Sequence, residues 1–340
     1  MSVPDTGHGL PPAPAGVLLA DGSPAFGAFA GNVGAIEWAG LNAALRRSAL
    51  WQRFHHKRWH YVGIAGADCF IGLAVVDAGW AASAFAYLFD REQRRVLVDF
   101  TGMGIPGLQV KVNHQGGEGA LARFQGAGGE ILLTRAVGCS HYTLKVRLRD
   151  FSLDAILDTA QAAPTLSAII PIQKGVANCT QKSACLKVTG SAQCQGRQYD
   201  LTGDSASLDY TNGLLARDTA WRWASAHSPK IGFNLQAGFN GSAENVLWLN
   251  GRMILLGAAQ FDFDPKRPMQ PWRIRTDDGL LDLGFEPHGA RRENKQLLIA
   301  ASDYIQPIGV FSGQVRAHPS DPPTLVSNLL GVTEDHRARW

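Results

Sequence analysis

The chain of 340 residues suits either two domains of ordinary size or one large β-sheet body. Charged residues make up 18% and hydrophobic residues 45% of the chain, which excludes a disordered protein and provides ample apolar side chain for a core. The net charge of +3 comes without a long basic stretch, so we expect no nucleic-acid partner.

The first 22 residues have neither a basic segment nor a sustained apolar run of the kind found in a signal peptide. No stretch approaches the roughly 20 apolar residues that cross a bilayer. We therefore expect a cytoplasmic protein without a transmembrane segment, and leave peripheral membrane contact and the oligomeric state open. Five cysteines form an odd set without zinc-site spacing, and buried free thiols are the expected use.

The segment from Arg58 to Phe100 has the pattern of an antiparallel meander. Turn signals recur every 10 to 12 residues or so, at residues 65–68, 77–79 and 90–93. Between two of these turns, alanines alternate with Phe85, Tyr87 and Phe89. This strand is apolar on both faces, which predicts that neither face meets water. The small side chains Ala82, Ala84 and Ala86 favour an internal cavity over a filled barrel.

The second half of the chain has the same pattern of antiparallel strands and turns. Asn250-Gly251, the strongest two-residue hairpin signal, lies between apolar strands predicted at Val246–Leu249 and Met253–Leu256. Near the C-terminus, three leucines at helical spacing predict a short helix that packs over a barrel. Those leucines are Leu325, Leu329 and Leu330.

A meander of this kind needs closure, because open strand edges invite aggregation. The fold class predicted is therefore all-β, with two consecutive antiparallel β-barrels packed together. We place the first barrel at residues 20–165, the second at residues 166–317, and a C-terminal tail at residues 318–340. The proline-containing segment Asp154–Gly175 is the predicted crossing between the barrels.

The sequence contains no cofactor or metal motif in the structural context that such a motif requires. The Gly102-x-Gly104 and Gly126-x-Gly128 sequences are not followed by a helix-forming stretch, and no phosphate-binding lysine motif or serine-hydrolase elbow occurs. His56 and His60 could share one face of a strand, but no carboxylate or cysteine stands beside them. We therefore predict no cofactor and no metal site.

The stretch Ser207–Ala226 combines an acid with an aromatic pair. In strand geometry Asp209 faces away from Leu208 and Tyr210, while Trp221 and Trp223 share a face. If Asp209 points into an aromatic cavity, burial should raise its pKa and keep part of it protonated near neutral pH. The alternative is that Asp209 accepts backbone hydrogen bonds in a local turn and that the tryptophans are core residues.

Polar and aromatic residues elsewhere complete the candidate site. Asp209 and Tyr210 are the predicted catalytic residues. The predicted substrate contacts are Trp59, His60, Trp221, Arg222, Trp223, Asn240, Glu244 and Trp248. A separate group of polar residues, Glu286, His288 and Arg291, is expected to form structural pairs.

Two long segments, Cys179–Ala226 and Gly232–Asp264, resemble a bacterial family known as domain of unknown function 2804. A more distant resemblance is to the carotenoid hydratases and their AttH-like relatives. It rests on an aspartate followed four residues later by glycine and then by W-x-W, which correspond here to Asp209, Gly213, Trp221 and Trp223. That resemblance implies tandem lipocalin-like (calycin-like) barrels around an apolar cavity.

The resemblance and the residues together suggest an enzyme: a cofactor-independent hydratase, isomerase or cyclase acting on a hydrophobic, lipid- or isoprenoid-like small molecule. Asp209 would donate a proton, the tryptophan faces would stabilise developing positive charge, and Tyr210 would orient water or substrate. The alternatives are a lipid-binding or carrier protein without catalysis, and a structural protein with filled barrels.

Overall fold

The computed structural model describes residues 9–296 and 301–339. Within these ranges the chain forms two antiparallel sheets that curl into near-barrels, which confirms the predicted all-β class and the pair of barrels. One short helix, α1 (Ala49–His55), precedes the main strands and is capped by the Ser48 side chain, which accepts a hydrogen bond from the Trp51 amide. No helix in the described ranges is long and apolar enough to cross a membrane.

Among the described residues, the first sheet contains fourteen strands. They are β1 (Gly27–Ala30), β2 (His56–Ala65), β3 (Cys69–Asp77), β4 (Ala82–Asp90), β5 (Arg95–Gly104), β6 (Val110–Val112), β7 (Leu121–Gly126), β8 (Gly129–Thr134), β9 (His141–Leu148), β10 (Phe151–Asp158), β11 (Leu166–Pro171), β12 (Ala177–Cys194), β13 (Arg197–Asp200) and β14 (Ser205–Leu214). The main path runs β5-β4-β3-β2-β14-β12-β10-β9-β8-β7-β6, so β14 joins the N-terminal meander to the rest of the sheet.

In the part of the chain that the structure describes, the second sheet contains nine strands. They are β15 (Asp218–His227), β16 (Ile231–Gly238), β17 (Val246–Leu249), β18 (Arg252–Leu255), β19 (Ala259–Asp262), β20 (Trp272–Thr276), β21 (Leu281–Gln296), β22 (Ala301–Val315) and β23 (Thr324–Arg339). Their order is β18-β17-β16-β15-β23-β22-β21-β20-β19.

Two local predictions are confirmed. The meander forms β2 to β5 with turns at the predicted places. The hairpin pairs β17 with β18 through Asn250 and Gly251, whose φ angles of 50° and 78° are those of a type I′ turn.

The prediction of a C-terminal helix is wrong. Residues Thr324–Arg339 form strand β23, which pairs with β15 on one side and with β22 on the other. The leucine spacing misleads because the pairing register shifts near Asn328, which has a φ of 52°. After this irregularity both Leu329 and Leu330 are buried, whereas Leu325 is 81% exposed.

The division of the chain also differs from the predicted one. Strands β11 to β14 belong to the first sheet, and the chain passes to the second sheet between Leu214 and Asp218. The segment Asp154–Gly175, expected to cross between barrels, lies within the first sheet. The predicted tail contains β23, a central strand of the second sheet.

The core has three main parts. One fills the first sheet and includes Ala82, Ala84 and Ala86, so these alanines pack against other side chains there. A second fills the second sheet. A third lies between the sheets and joins Tyr87 and Phe89 to residues of β15, β22 and β23. Strand β4 therefore has apolar partners on both faces, as predicted. The five cysteines are free; Cys69, Cys179 and Cys194 are buried, and the other two are half-buried.

Candidate active site

A cavity of about 120 Å³ lies between the two sheets. The aromatic residues of its wall are Trp59, Tyr61, Phe85, Trp221, Trp223, Phe239 and Tyr304. Its polar residues are Lys182, Asp209, Gln236, Asn240, Glu244, Glu334 and His336. A mainly apolar cavity with a few converging polar groups is typical of a small-molecule site.

Strand alternation places Asp209 in this cavity. On β14, Leu208 and Tyr210 join the core of the first sheet, and Asp209 between them faces the second sheet. The strand register sets Asp209 directly beside Lys182 of β12 and Tyr61 of β2. These three side chains thus form one row across the first sheet.

The tryptophans of β15 face the same cavity from the second sheet. The Asp209 carboxylate is bound by a lysine and not by the backbone of a turn, because β14 continues as a regular strand to Leu214. The alternative of a turn-capping aspartate is therefore excluded, and Asp209, Trp221 and Trp223 share one cavity.

A lysine that the sequence did not reveal lies between two of the acids. Lys182 Nζ is 2.5 Å from Asp209 Oδ2 and 3.2 Å from Glu244 Oε2, and its side chain is 3% exposed. The Thr180 hydroxyl donates a further hydrogen bond of 3.0 Å to Glu244 Oε2. The sequence signal for this ion pair was a lysine inside an otherwise buried strand. The acidic partners of Lys182 become evident only once the order of the strands is known.

The electrostatics of this cluster favour a proton on Asp209. Burial raises the pKa of Asp209, and the nearby Glu244 and Glu334 charges raise it further, while Lys182 opposes the shift. Burial alone would lower the pKa of Lys182, but Asp209 and Glu244 raise it above its ordinary value. The pKa of Lys182 therefore lies above its ordinary value between the two acids, and the pKa of Asp209 also stays above its ordinary value.

One oxygen of the Asp209 carboxyl group remains available. Oδ1 is buried and finds no hydrogen-bond partner among the described residues, whereas Oδ2 is held by Lys182. An unsatisfied buried oxygen is costly unless a proton, water or ligand completes it.

A third carboxyl group of the cavity comes from the second sheet. Glu334 of β23 accepts a hydrogen bond of 2.7 Å from Trp221 Nε1 at Oε1 and one of 3.0 Å from Gln306 Nε2 at Oε2. The Tyr87 hydroxyl donates to Gln306 Oε1 at 2.5 Å and fixes the amide in turn. His336 Nδ1 lies 3.7 Å from Glu334 Oε1. Glu334 and His336 were not predicted, because the C-terminal strand was expected to be helical.

The aromatic rings are held in fixed orientations. Trp59 and Trp221 are nearly parallel, with ring centroids 6.5 Å apart, and Tyr61 meets Trp223 edge to face at 5.4 Å. Trp223 Nε1 donates a hydrogen bond of 2.8 Å to Asn234 Oδ1. These rings come from both sheets, so the site requires both near-barrels.

Comparison with protein families gives a match over nearly the whole chain. The model for a domain of unknown function, DUF2804, matches residues 13–340. The chain belongs to this family. No curated protein sequence matches this DUF2804 chain.

Two solved structures share the fold of this DUF2804 protein. An AttH-like protein from Nitrosomonas europaea is 12% identical, with a TM-score of 0.55 over 84% of this chain and 92% of that one. Kievitone hydratase from Nectria haematococca is 11% identical, with a TM-score of 0.53 over 88% of this chain and 94% of that one. At these identities the likeness shows a common fold and confirms the distant relatives named from the sequence.

The structure of this DUF2804 chain brings most of the predicted site residues together. Asp209, Trp221 and Trp223 line the cavity, and so do Trp59, Asn240 and Glu244. The side chain of Asn240 accepts a hydrogen bond of 3.2 Å from Asn178 Nδ2 and is 7% exposed.

Two predicted residues of the first sheet lie elsewhere. The Tyr210 hydroxyl donates 2.7 Å to the Asn113 carbonyl inside the first sheet, so Tyr210 cannot orient a substrate beside Asp209. His60 is on the same inner face, and its ring meets the edges of Tyr142 and Tyr210. Burial lowers the pKa of His60 to about 3, so this histidine is neutral. Strand alternation turns both side chains away from Asp209.

Two predicted residues of the second sheet also lie outside the cavity. Arg222 points away from Trp221 and Trp223, forms an ion pair of 3.6 Å with Asp335 and lies over the ring of Phe263. Trp248 packs against other residues between the sheets and donates 3.0 Å to the Pro164 carbonyl.

The expected structural pairs are partly confirmed. His288 Nε2 lies 3.7 Å from Glu286 Oε1, whereas Arg291 binds Asp99 and Glu293. No group of three or more potential metal-ligating side chains occurs in residues 9–296 and 301–339.

Proposed function

We propose that this protein is a cofactor-independent hydratase that protonates a carbon–carbon double bond of a hydrophobic small molecule, with Asp209 as the proton donor. The observation that carries this proposal is the position of Asp209: a buried carboxyl group with a raised pKa and one unpartnered oxygen, facing an aromatic cavity. A carboxylic acid kept neutral by its surroundings is a suitable general acid near neutral pH.

The first step forms a C–H bond at one alkene carbon as the O–H bond of Asp209 breaks. The other alkene carbon then carries positive charge. The faces of Trp221 and Trp223 and the Asp209 carboxylate just formed surround this charge. Cation–π attraction contributes about 0.5–2 kcal/mol for each ring at such sites. Lys182 stabilises the new carboxylate through its 2.5 Å contact with Oδ2.

The second step adds water to the cation. Glu334 accepts one hydrogen bond at each oxygen, and each carboxylate oxygen has a second lone pair that could take a proton. As the C–O bond forms, a proton of the water passes to Glu334. Proton exchange with solvent then returns Glu334 to its carboxylate form and Asp209 to its acid form. Loss of a proton in place of water addition would give isomerisation, and attack by a second double bond would give cyclisation. The shared fold with kievitone hydratase favours hydration among the three.

The test compares the wild type with Asp209→Asn and with Asp154→Asn, a control on the exposed face of β10. Each protein is incubated in ¹⁸O-labelled water with kievitone, geraniol and oleic acid, and the products are examined by mass spectrometry. We expect a labelled alcohol from the wild type and from Asp154→Asn, and none from Asp209→Asn. Product formation by Asp209→Asn would refute the role of Asp209.

The second candidate function is a carrier that binds a hydrophobic molecule without changing it, and the mainly apolar surface of the cavity favours it. Native mass spectrometry of the purified protein separates the two functions. A carrier retains the same co-purified molecule after prolonged incubation at 37 °C, whereas a hydratase converts it to a product that is heavier by one water.

A further inference from the structure

A second cavity adjoins the first along the seam between the sheets. It has a volume of about 170 Å³ and extends from β4 and β5 to the ends of β21, β22 and β23. The two cavities share four wall residues: Val76, Phe85, Tyr304 and His336. They are therefore neighbours, and the part of the wall formed by these four shared residues is called the neck below.

Contacts with neighbouring side chains hold the rings of the neck in place. The Arg291 guanidinium lies 4.2 Å from the Phe85 ring centroid and 5.3 Å from that of Tyr304. Arg291 is itself held by Asp99 at 2.8 Å, and its side chain is 2% exposed. The His336 ring packs against Tyr304 at 5.1 Å and contacts Ser302 through Nε2 at 3.0 Å.

Neither cavity alone is large enough for an ordinary ligand. Sites for drug-sized molecules measure about 300–1,000 Å³, and only the two volumes taken together approach this range. Asp209 lies at one end of this combined space, because its side chain lines the first cavity and not the second. The second cavity offers alanine, valine and aromatic surface next to the neck.

We propose that the two cavities form one binding site for an elongated, mainly apolar molecule, whose reactive end lies at Asp209 and whose chain passes the neck into the second cavity. This assignment rests on the proposed function for the position of the reactive end. The second cavity selects for chain length and takes no part in the proton transfer.

Ala338 provides the test, since it lines the second cavity, is 8% exposed and lies on the same face of β23 as Glu334 and His336. Ala338→Phe places a ring in the second cavity and leaves the Asp209 cavity unchanged. The matched control is Ala220→Phe, which adds the same ring at an exposed position of β15.

Calorimetric titrations measure the Kd of straight-chain alcohols from 1-butanol to 1-decanol for the three proteins. Each buried methylene tightens binding about fourfold. For the wild type and Ala220→Phe we expect the Kd to fall with every added methylene across the series. For Ala338→Phe we expect unchanged Kd values for the short alcohols and a constant Kd once the chain reaches the neck.

The proposal is overturned if Ala338→Phe follows the wild-type series to 1-decanol, if it weakens all alcohols equally, or if the wild type binds none of them. Thermal unfolding of Ala338→Phe checks that the fold is intact. These titrations involve no chemistry, so they can fail while Asp209→Asn still abolishes hydration. Conversely, an active Asp209→Asn enzyme would refute the proposed function without changing the chain-length result.

Discussion

Replacement of Lys182 by methionine removes the positive charge that lies between two buried carboxyl groups. The side chain is 3% exposed and contacts Asp209 at 2.5 Å and Glu244 at 3.2 Å. Loss of one partner from a buried ion pair costs about 3–5 kcal/mol, because the remaining charge stays buried without compensation. We expect Lys182→Met to lose this amount of unfolding free energy at pH 8.

The unfolding free energy lost in Lys182→Met should be larger at high pH than at low pH. In the variant the Asp209 pKa rises further, because the opposing charge of Lys182 is gone. A carboxyl group whose pKa is higher in the folded than in the unfolded state binds more protons when folded, so stability falls as pH rises. The window runs from the unfolded value near 4 up to the raised folded value, at about 1.4 kcal/mol per pH unit. The destabilisation should therefore shrink markedly at pH 5.

Urea unfolding at pH 5 and pH 8 measures both effects. Lys187→Met, on the exposed face of the same strand, is the matched control and should change stability by about 0.5 kcal/mol or less. Should Lys182→Met fail to fold at pH 8, the double variant with Glu244→Gln removes one of the two acids and should recover folding. Equal losses for Lys182→Met and Lys187→Met, or a loss independent of pH, would refute the reasoning.

Three further substitutions probe other contacts. Glu334→Gln removes the proposed proton acceptor and also a negative charge that raises the Asp209 pKa, so hydration should slow and the alkaline limb of the residual rate should shift to lower pH; an unchanged rate and pH profile contradict this. Trp223→Phe leaves Asn234 Oδ1 without its indole donor and should cost about 1–3 kcal/mol in urea unfolding, whereas no loss would show the bond to be dispensable. Gly251→Ala strains a residue with a φ of 78° in open space and should cost about 1–2 kcal/mol, with a larger loss indicating a role beyond the turn.

Alternation along single strands predicted much of the site. It placed Asp209 opposite Leu208, and Trp221 with Trp223, and both assignments hold because each strand is regular at these positions. The same argument separates Tyr210 from Asp209 and already speaks against a shared catalytic role for these neighbours.

Residues contributed by distant strands could not be predicted in the same way. Lys182 reaches Asp209 because β12 pairs with β14, and Glu334 reaches Trp221 because β23 pairs with β15. Pairing partners so far apart in the chain depend on the order of strands within each sheet, which local patterns do not specify. The error at the C-terminus has a similar cause: an irregularity at Asn328 produces leucine spacing that is also compatible with a helix.

The protonation state of Asp209 in the folded protein tests the central claim most directly. Infrared difference spectroscopy between the wild type and Asp209→Asn isolates the carboxyl C=O stretch of this residue. We predict a protonated carboxyl band at pH 6–7 that disappears at higher pH as Asp209 ionises. A spectrum showing only ionised carboxylate at pH 6–7 would contradict the assignment of Asp209 as the proton donor.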